Sequence, residues 1–83
     1  MARRVIFSVE ARADIRAIDR EIAIRLLHSL ARYLQTGIGT VKQLEGYDPP
    51  RFRLRVGDWG FIFHKRDDSI EVLRVRNRRE AYR

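Results

Sequence analysis

Residues 51–64, which read RFRLRVGDWGFIFH, constrain the fold of this chain more than any other stretch. Arginine alternates with apolar residues over the first half, and a Gly-Asp pair then precedes a second apolar run. An alternation with a period of two residues is typical of a half-buried β-strand. A two-residue connection that begins with glycine is typical of a tight hairpin turn. The stretch therefore predicts a β-hairpin that turns at Gly57 and Asp58.

The two-residue turn also predicts which residues of the hairpin face each other, because the pairing is counted outward from the turn. The expected pairs are Val56 with Trp59, Arg55 with Gly60, Arg53 with Ile62 and Arg51 with His64. One face then carries three arginines and a histidine, and Gly60 leaves a gap beside Arg55. The opposite face is almost entirely apolar, so we expect it to lie against the helices.

The residues before the hairpin predict one short strand followed by two helices. Val5 to Phe7 are β-branched or aromatic residues, which favour a strand. Ser8 is a suitable N-cap for a short helix over residues 9–18, because its hydroxyl can accept a hydrogen bond from the first turn. Apolar residues recur three and four positions apart over residues 20–35, and this spacing predicts a second, longer helix.

Two further segments complete the predicted fold. Residues 41–50 contain Gly46, Pro49 and Pro50 near their end, and we expect them to form a connection. Residues 70–77 follow a polar loop and predict a last strand. The order β-α-α-β-β-β predicts a single α+β domain over residues 1–83. We expect a helical hairpin packed on one face of a twisted, mostly antiparallel sheet.

Arginine also alternates with apolar residues in the last strand, at Arg74, Arg76 and Arg78. Two strands would then turn like charges toward solvent, which costs stability. The formal net charge is +7, and sixteen of the eighteen basic residues are arginine. A guanidinium group binds phosphate or carboxylate groups through two parallel hydrogen bonds. The pattern predicts an anionic partner, either nucleic acid or an acidic protein. The alternative is an arginine-rich composition that leaves a merely solvated face.

The sequence excludes several other kinds of site. It has no cysteine, which excludes disulfides and thiolate metal ligands, and it has no glycine-rich phosphate loop or zinc-ligand spacing. The apolar stretch near the start stops at Glu10 and is shorter than the core of a secretory signal. No apolar run reaches the length of a membrane span. We therefore expect a cytoplasmic protein with no membrane partner.

Three motifs resemble the RelE branch of the RelE/ParE superfamily of toxins. They are VKQLEG at residues 41–46, RLRVGDW at residues 53–59 and RVRNRREAY at residues 74–82. With the order of elements, they extend the resemblance over essentially the whole chain. The resemblance implies a toxin of a type II toxin–antitoxin pair, with a cognate antitoxin and, for the complex of the two, operator DNA as partners.

The same resemblance implies an activity. Toxins of the RelE branch are ribosome-dependent endoribonucleases that enter the A site and cut messenger RNA. The 2′-hydroxyl attacks the adjacent phosphate, and the reaction uses no metal or other cofactor. Arginine stays protonated and is a poor proton acceptor, so arginines at such a site are expected to act by positioning and charge stabilisation.

The resemblance also assigns roles to individual residues. Arg53 and Arg55 fall where the family has basic residues on the first strand of the hairpin. Arg78 matches its phosphate-binding arginine, and Tyr82 matches a C-terminal aromatic residue that stacks on the substrate base or assists proton transfer. The residues that we expect to be catalytic are therefore Arg53, Arg55, Arg78 and Tyr82. The residues that we expect to bind substrate, from their place on the arginine face, are Arg51, Arg74, Arg76 and His64.

Two positions depart from the family pattern. Gly60 stands where the family usually has an arginine that helps to hold the scissile phosphate, and Asn77 stands where many relatives have histidine. The missing arginine leaves two alternatives open. One is a ParE-like inhibitor that binds DNA gyrase and catalyses nothing. The other is a catalytically weakened toxin that serves as the antitoxin's partner and co-repressor.

Overall fold

The computed structural model describes residues 4–81, and the side chains of residues 4–79. The strands in this range are β1 (Arg4–Phe7), β2 (Thr40–Leu44), β3 (Arg51–Val56), β4 (Trp59–Lys65) and β5 (Ser69–Asn77). The helices are α1 (Val9–Ala17), α2 (Arg20–Thr36) and the short α3 (Arg78–Ala81). The strands form one sheet in the order β1-β5-β4-β3-β2. Strand β1 runs parallel to β5, and the other neighbours are antiparallel. The predicted α+β fold with a mostly antiparallel sheet is confirmed.

Strand β2 corrects the prediction of a connection over residues 41–50. Thr40–Leu44 pairs with residues 51–55 of β3, with Val41 opposite Leu54 and Lys42 opposite Arg53. Only two of its five residues are apolar, so the local pattern is weak. What makes it a strand is the free edge of β3, whose backbone groups need hydrogen-bond partners. Residues 45–50 remain a connection, as expected.

The ends of the helices follow from local signals in the sequence. The Ser8 hydroxyl accepts a hydrogen bond from the backbone N–H of Ala11 at 3.0 Å, which confirms Ser8 as the N-cap of α1. Helix α2 ends at Gly37, which has φ of 73° and donates its N–H to the Tyr33 carbonyl. A left-handed residue at this place is usually glycine, because a Cβ would be strained there.

The core lies between the helices and the apolar face of the hairpin. From the turn to Phe52 and Phe63, strands β3 and β4 pair as predicted, so that Leu54 faces Phe61. The expected pair of Arg51 with His64 is not part of this ladder. Phe61 and Phe63 are fully buried, and burying a side chain of this size contributes roughly 1.5–3 kcal/mol. The other buried apolar residues are Ala11, Leu26, Leu30, Leu54, Ile70, Val72 and Val75. The arginine face of the same strands is therefore turned away from the core. Within residues 4–81, no helix is long and apolar enough to cross a membrane.

Candidate functional site

Gly60 lies at the centre of the arginine face, with an arginine on each neighbouring strand. It pairs with Arg55 on β3 and with Arg76 on β5. Ile62, two residues further along β4, pairs with Arg53 and Arg74 in the same way. Alternate residues of a strand point to the same side of a sheet. Strands β3 and β5 therefore direct their arginines to one common side, as the sequence predicts.

These residues surround a recess of about 270 Å³. Arg53, Arg55, Arg76 and Arg78 line it, and Gly60 lies among them. The remaining lining residues are Gly57, Asp58, Trp59, Ile62 and Asn77. We call this the arginine recess. Four guanidinium groups and one carboxylate make it strongly electropositive, so a phosphate group is a suitable ligand.

Arg78 joins the recess because the end of β5 is tied to the hairpin turn. The backbone N–H of Arg78 donates a hydrogen bond to the Asp58 carbonyl at 2.6 Å. Asn77 then accepts a hydrogen bond from the Arg79 N–H through its side-chain oxygen, at 2.9 Å. This bond fixes the start of α3 directly after the strand. Asn77, one of the two departures from the family pattern, thus has a structural contact here.

Arg74 is held outside the recess by an ion pair. Its Nε lies 2.9 Å from Asp14 Oδ2, and its terminal nitrogen donates to Asp14 Oδ1 at 3.0 Å. Asp14 Oδ2 also accepts the backbone N–H of Val75 at 2.9 Å. The sequence groups Arg74 with the substrate-binding arginines, but its guanidinium is already paired with a carboxylate, so we leave it out of the site.

The same contacts shift the pKa values of both partners of this ion pair. Partial burial by itself would raise the pKa of the Asp14 carboxyl, but hydrogen bonds from Arg74 and Val75 outweigh it, helped by the positive charges of Arg74 and Arg76. The pKa of Asp14 is therefore lower than usual. The pKa of Arg74 is raised, chiefly by its hydrogen bond to Asp14. Both groups stay charged at neutral pH.

Three other predicted site residues lie outside the recess or outside the described part of the chain. The Arg51 guanidinium stacks over the Tyr47 ring, 4.4 Å from its centroid. His64 donates from Nδ1 to the Pro50 carbonyl at 3.0 Å. Both residues stand at the ends of β3 and β4 that are far from the Gly57 turn. Tyr82 lies outside the described residues.

The structure also adds two residues that the sequence reasoning did not place at the site. Lys42 pairs with Arg53 and so belongs to the arginine face; the alternation in TVKQL was the signal, but it was too weak to predict a strand. Trp59 packs against the core, as predicted, and also lines the recess.

The arginine face holds cations rather than ligands for a metal. Among the described residues, no group of three or more histidine, aspartate or glutamate side chains could hold a metal ion. Arg53, Arg55 and Arg76 form no ion pair with any side chain that the structure describes. The arrangement can therefore bind a phosphate and stabilise negative charge that develops on it.

A family model described as the ParE toxin of the type II toxin–antitoxin system parDE matches residues 5–82 of the chain. No curated protein sequence is significantly similar to it.

The fold is similar to chains of three solved toxin–antitoxin complexes. For RelBE2 from Mycobacterium tuberculosis the TM-score is 0.82 at 20% identity, over 94% of this chain and 93% of that chain. For RelE–RelB from Pyrococcus horikoshii the TM-score is 0.74 at 21% identity, over 94% of this chain and 97% of that chain. For RelB–RelE from Methanococcus jannaschii the TM-score is 0.73 at 21% identity, over 93% of this chain and 94% of that chain. At these identities the likeness shows the shared fold.

Proposed function

The chain belongs to the ParE toxin family of type II toxin–antitoxin systems, within the RelE/ParE superfamily, and we propose that it acts as RelE-type toxins do, as a ribosome-dependent endoribonuclease that cuts messenger RNA. The observation that carries the proposal is the arginine recess. Arginines from β3, β5 and the start of α3 line it together, next to Gly60. A toxin that only blocked another protein would have no need for such a phosphate site.

In the proposed reaction the 2′-oxygen attacks the adjacent phosphorus and the bond to the 5′-oxygen breaks. The 2′-hydroxyl loses a proton and the leaving 5′-oxygen gains one, which yields a cyclic phosphate and a free 5′-hydroxyl. Arg53, Arg55 and Arg78 stabilise the negative charge that builds up on the phosphate oxygens. Because arginine stays protonated, these residues do not accept the proton. We assign proton transfer or base stacking to Tyr82, in keeping with the family pattern.

The proposal includes three kinds of partner. The ribosome presents the messenger RNA, and we therefore place the action of the toxin in the cytoplasm. A cognate antitoxin neutralises it, as the solved RelB–RelE complexes suggest by similarity. An antitoxin segment with acidic side chains would compete with RNA for the arginine recess, because both present anionic oxygens to the same guanidinium groups. The toxin–antitoxin complex then binds operator DNA.

The experiment is induction of the toxin without antitoxin, followed by primer extension on translated messages. Cuts clustered inside reading frames are expected. Arg78→Ala should reduce them by on the order of a hundredfold, because one charge-stabilising group is lost. Arg66→Ala is the matched control, since Arg66 pairs with Glu71 at the surface and does not line the recess. Wild-type cutting by Arg78→Ala would reject this site, and a lack of cuts within reading frames would reject the nuclease.

A ParE-like gyrase inhibitor is the second candidate, favoured by the description of the matching family model and by Gly60 in place of arginine. A DNA supercoiling assay with purified toxin separates the two functions. The nuclease should leave gyrase activity unchanged. Inhibition of supercoiling by both the wild type and Arg78→Ala would favour the second candidate. A toxin that does neither, yet increases operator binding by its antitoxin, would be the weakened co-repressor.

A further inference from the structure

The backbone conformation at position 60 does not explain why this residue is a glycine. Among the described residues, the glycines with positive φ are Gly37, Gly46 and Gly57, so Gly60 has an extended conformation that any residue can adopt. It lies inside β4 and is paired on both sides. Glycine in the interior of a strand weakens the strand, and it often marks a place where another group approaches the backbone closely.

The group that approaches Gly60 is the side chain of Arg53. A Cβ atom placed on Gly60 would lie 3.0 Å from both Cγ and Cδ of Arg53, which is too close without displacement. Arg53 is not the direct partner of Gly60, since it pairs with Ile62 two residues away. Its aliphatic stem therefore leans diagonally over Gly60, in the direction of the Gly57 turn. Arg53 lines the recess together with Arg55, Arg76 and Arg78.

We infer that Gly60 is a positioning residue, which lets Arg53 lie across β4 so that its guanidinium, together with those of Arg55, Arg76 and Arg78, binds one phosphodiester group in the arginine recess. The inference deepens the proposed function and rests on it for the identity of the ligand as RNA. Gly60 itself offers no group to the ligand. Its part is to leave space where any other side chain would displace the stem of Arg53.

The charge balance of the sheet supports a phosphate as the occupant. Arg74, on the same strand as Arg76, is neutralised by Asp14, and Arg66 is neutralised by Glu71. Within residues 4–79, Arg53, Arg55 and Arg76 have no such partner, although they stand on neighbouring strands. Like charges so arranged repel each other. A phosphate bound between them removes that repulsion and accepts hydrogen bonds from more than one guanidinium at once.

The size of the recess limits how much of the ligand it holds. A volume of about 270 Å³ lies just below the usual range for ligand pockets, roughly 300–1,000 Å³. We therefore assign one phosphodiester group with its adjoining sugar or base to the recess. Trp59 is among the residues that line the recess.

A double-mutant cycle tests the inference. The probe is a trinucleotide RNA with 2′-O-methyl groups, which cannot be cut by its own 2′-hydroxyl, and its affinity is measured by calorimetry with purified toxin. Arg53→Met keeps an apolar stem and removes the charge, and should weaken binding about tenfold or more. Gly60→Ala should weaken it severalfold, because the new Cβ displaces the stem of Arg53. In the Arg53→Met background, Gly60→Ala should have almost no further effect.

Two further measurements separate positioning from a change in stability. The slope of log affinity against log salt concentration should fall by roughly 0.7 when the Arg53–phosphate contact is lost, in Gly60→Ala as in Arg53→Met. The melting temperature of Gly60→Ala should be equal to or above that of the wild type, because alanine in place of glycine restricts the unfolded chain. Arg66→Ala is again the matched charge control and should bind as the wild type does.

The outcomes are distinct. Additive effects of Gly60→Ala and Arg53→Met, or an unchanged salt slope in Gly60→Ala, would overturn the inference. Because the probe needs no ribosome and no cleavage, these results do not depend on the nuclease assay. Coupled loss of binding without cuts in cellular messages would retain the phosphate site and reject the proposed nuclease. If messages are cut but RNA binding does not change in Gly60→Ala, the proposed nuclease would be retained and the positioning role of Gly60 would be rejected.

Discussion

Asp14 forms an ion pair with one arginine of β5, Arg74, but not with the next one, Arg76. Arg74 is bound to both carboxylate oxygens of Asp14, whereas Arg76, two residues on, lines the arginine recess. The same carboxylate caps the backbone N–H of Val75. A single acidic side chain thus decides which guanidinium supports the structure and which is available to a ligand. The role of an arginine depends on its nearest carboxylate as much as on its place in the alternation.

Replacing Asp14 tests this division at the level of stability. Asp14→Asn should lower the free energy of unfolding at neutral pH by about 2 kcal/mol, because it weakens charge-assisted hydrogen bonds in a half-buried place. The measurement is urea denaturation at several pH values. Glu71→Gln, which breaks the exposed pair with Arg66, is the control and should cost less than about 1 kcal/mol.

The pH dependence of that difference has a definite sign. The pKa of Asp14 is lower in the folded protein than in the unfolded chain. Its stabilising effect is therefore fully present above the ordinary carboxyl pKa of about 3.9, and it is lost as the pH falls through the lower folded value. The wild type and Asp14→Asn should then differ by a constant amount at pH 5–7 and converge below about pH 4. A difference that grew with acid would contradict this account of the ion pair.

At the scale of elements, α1 and β5 are joined at a β-bulge. The register between β4 and β5 shifts at Ile62 and Phe63, so that Leu73 is left without a direct partner. The shift allows Val72 and Val75 to be buried on the same side, although they are three residues apart. The Ser8 hydroxyl donates to the Leu73 carbonyl at 2.8 Å and so satisfies the bulged residue. Ser8 therefore serves the helix and the sheet together.

Ser8→Ala tests this junction. The change removes the N-cap of α1 and leaves the Leu73 carbonyl without its hydrogen bond, and we expect a loss of about 1–3 kcal/mol in the free energy of unfolding. Hydrogen exchange of the Ala11 amide should speed up in the variant. Ser8→Thr keeps a hydroxyl at the cap and should retain most of the stability. Equal stability of Ser8→Ala and wild type would show that the junction contributes nothing.

At the scale of the whole molecule, the positive charge extends beyond the arginine recess. Exposed arginines also lie on the two longer helices, among them Arg12, Arg16, Arg25 and Arg32. A net charge of +7 attracts any polyanion at low salt. Four arginines line the recess together, so under the proposed function the specific binding of RNA should depend on it.

Two triple variants with the same net charge separate a site from general attraction. Replacing Arg53, Arg55 and Arg76 with glutamine should reduce the salt slope of RNA binding by roughly 2, at about 0.7 per lost phosphate contact. It should also reduce affinity by on the order of a hundredfold or more. Replacing Arg12, Arg16 and Arg32 should change affinity only a few fold. Equal losses in the two variants would mean that binding follows net charge.

The hairpin and the helices could be predicted from the sequence because their signals are local. A two-residue period and a two-residue turn fix the register of β3 and β4 within fourteen residues. The cap at Ser8 and the end of α2 at Gly37 likewise depend on neighbours in the chain. Arg53, Arg55 and Arg76 could be placed on one face for the same reason, since alternation tells which side of a strand they face. Arg78 begins α3 and reaches the recess because its backbone is bonded to Asp58 in the hairpin turn.

Tertiary structure alone decided the features that join distant residues. Strand β2 exists because the edge of β3 has unpaired backbone groups, which a five-residue pattern cannot reveal. Asp14 reaches Arg74 across sixty residues of chain, and the aliphatic stem of Arg53 lies against Gly60, which has no side chain. Such contacts depend on packing in three dimensions, where small differences in distance decide whether a charge is paired. The sequence thus determined which residues share a face, and the folded protein determined which of them remain available to a ligand.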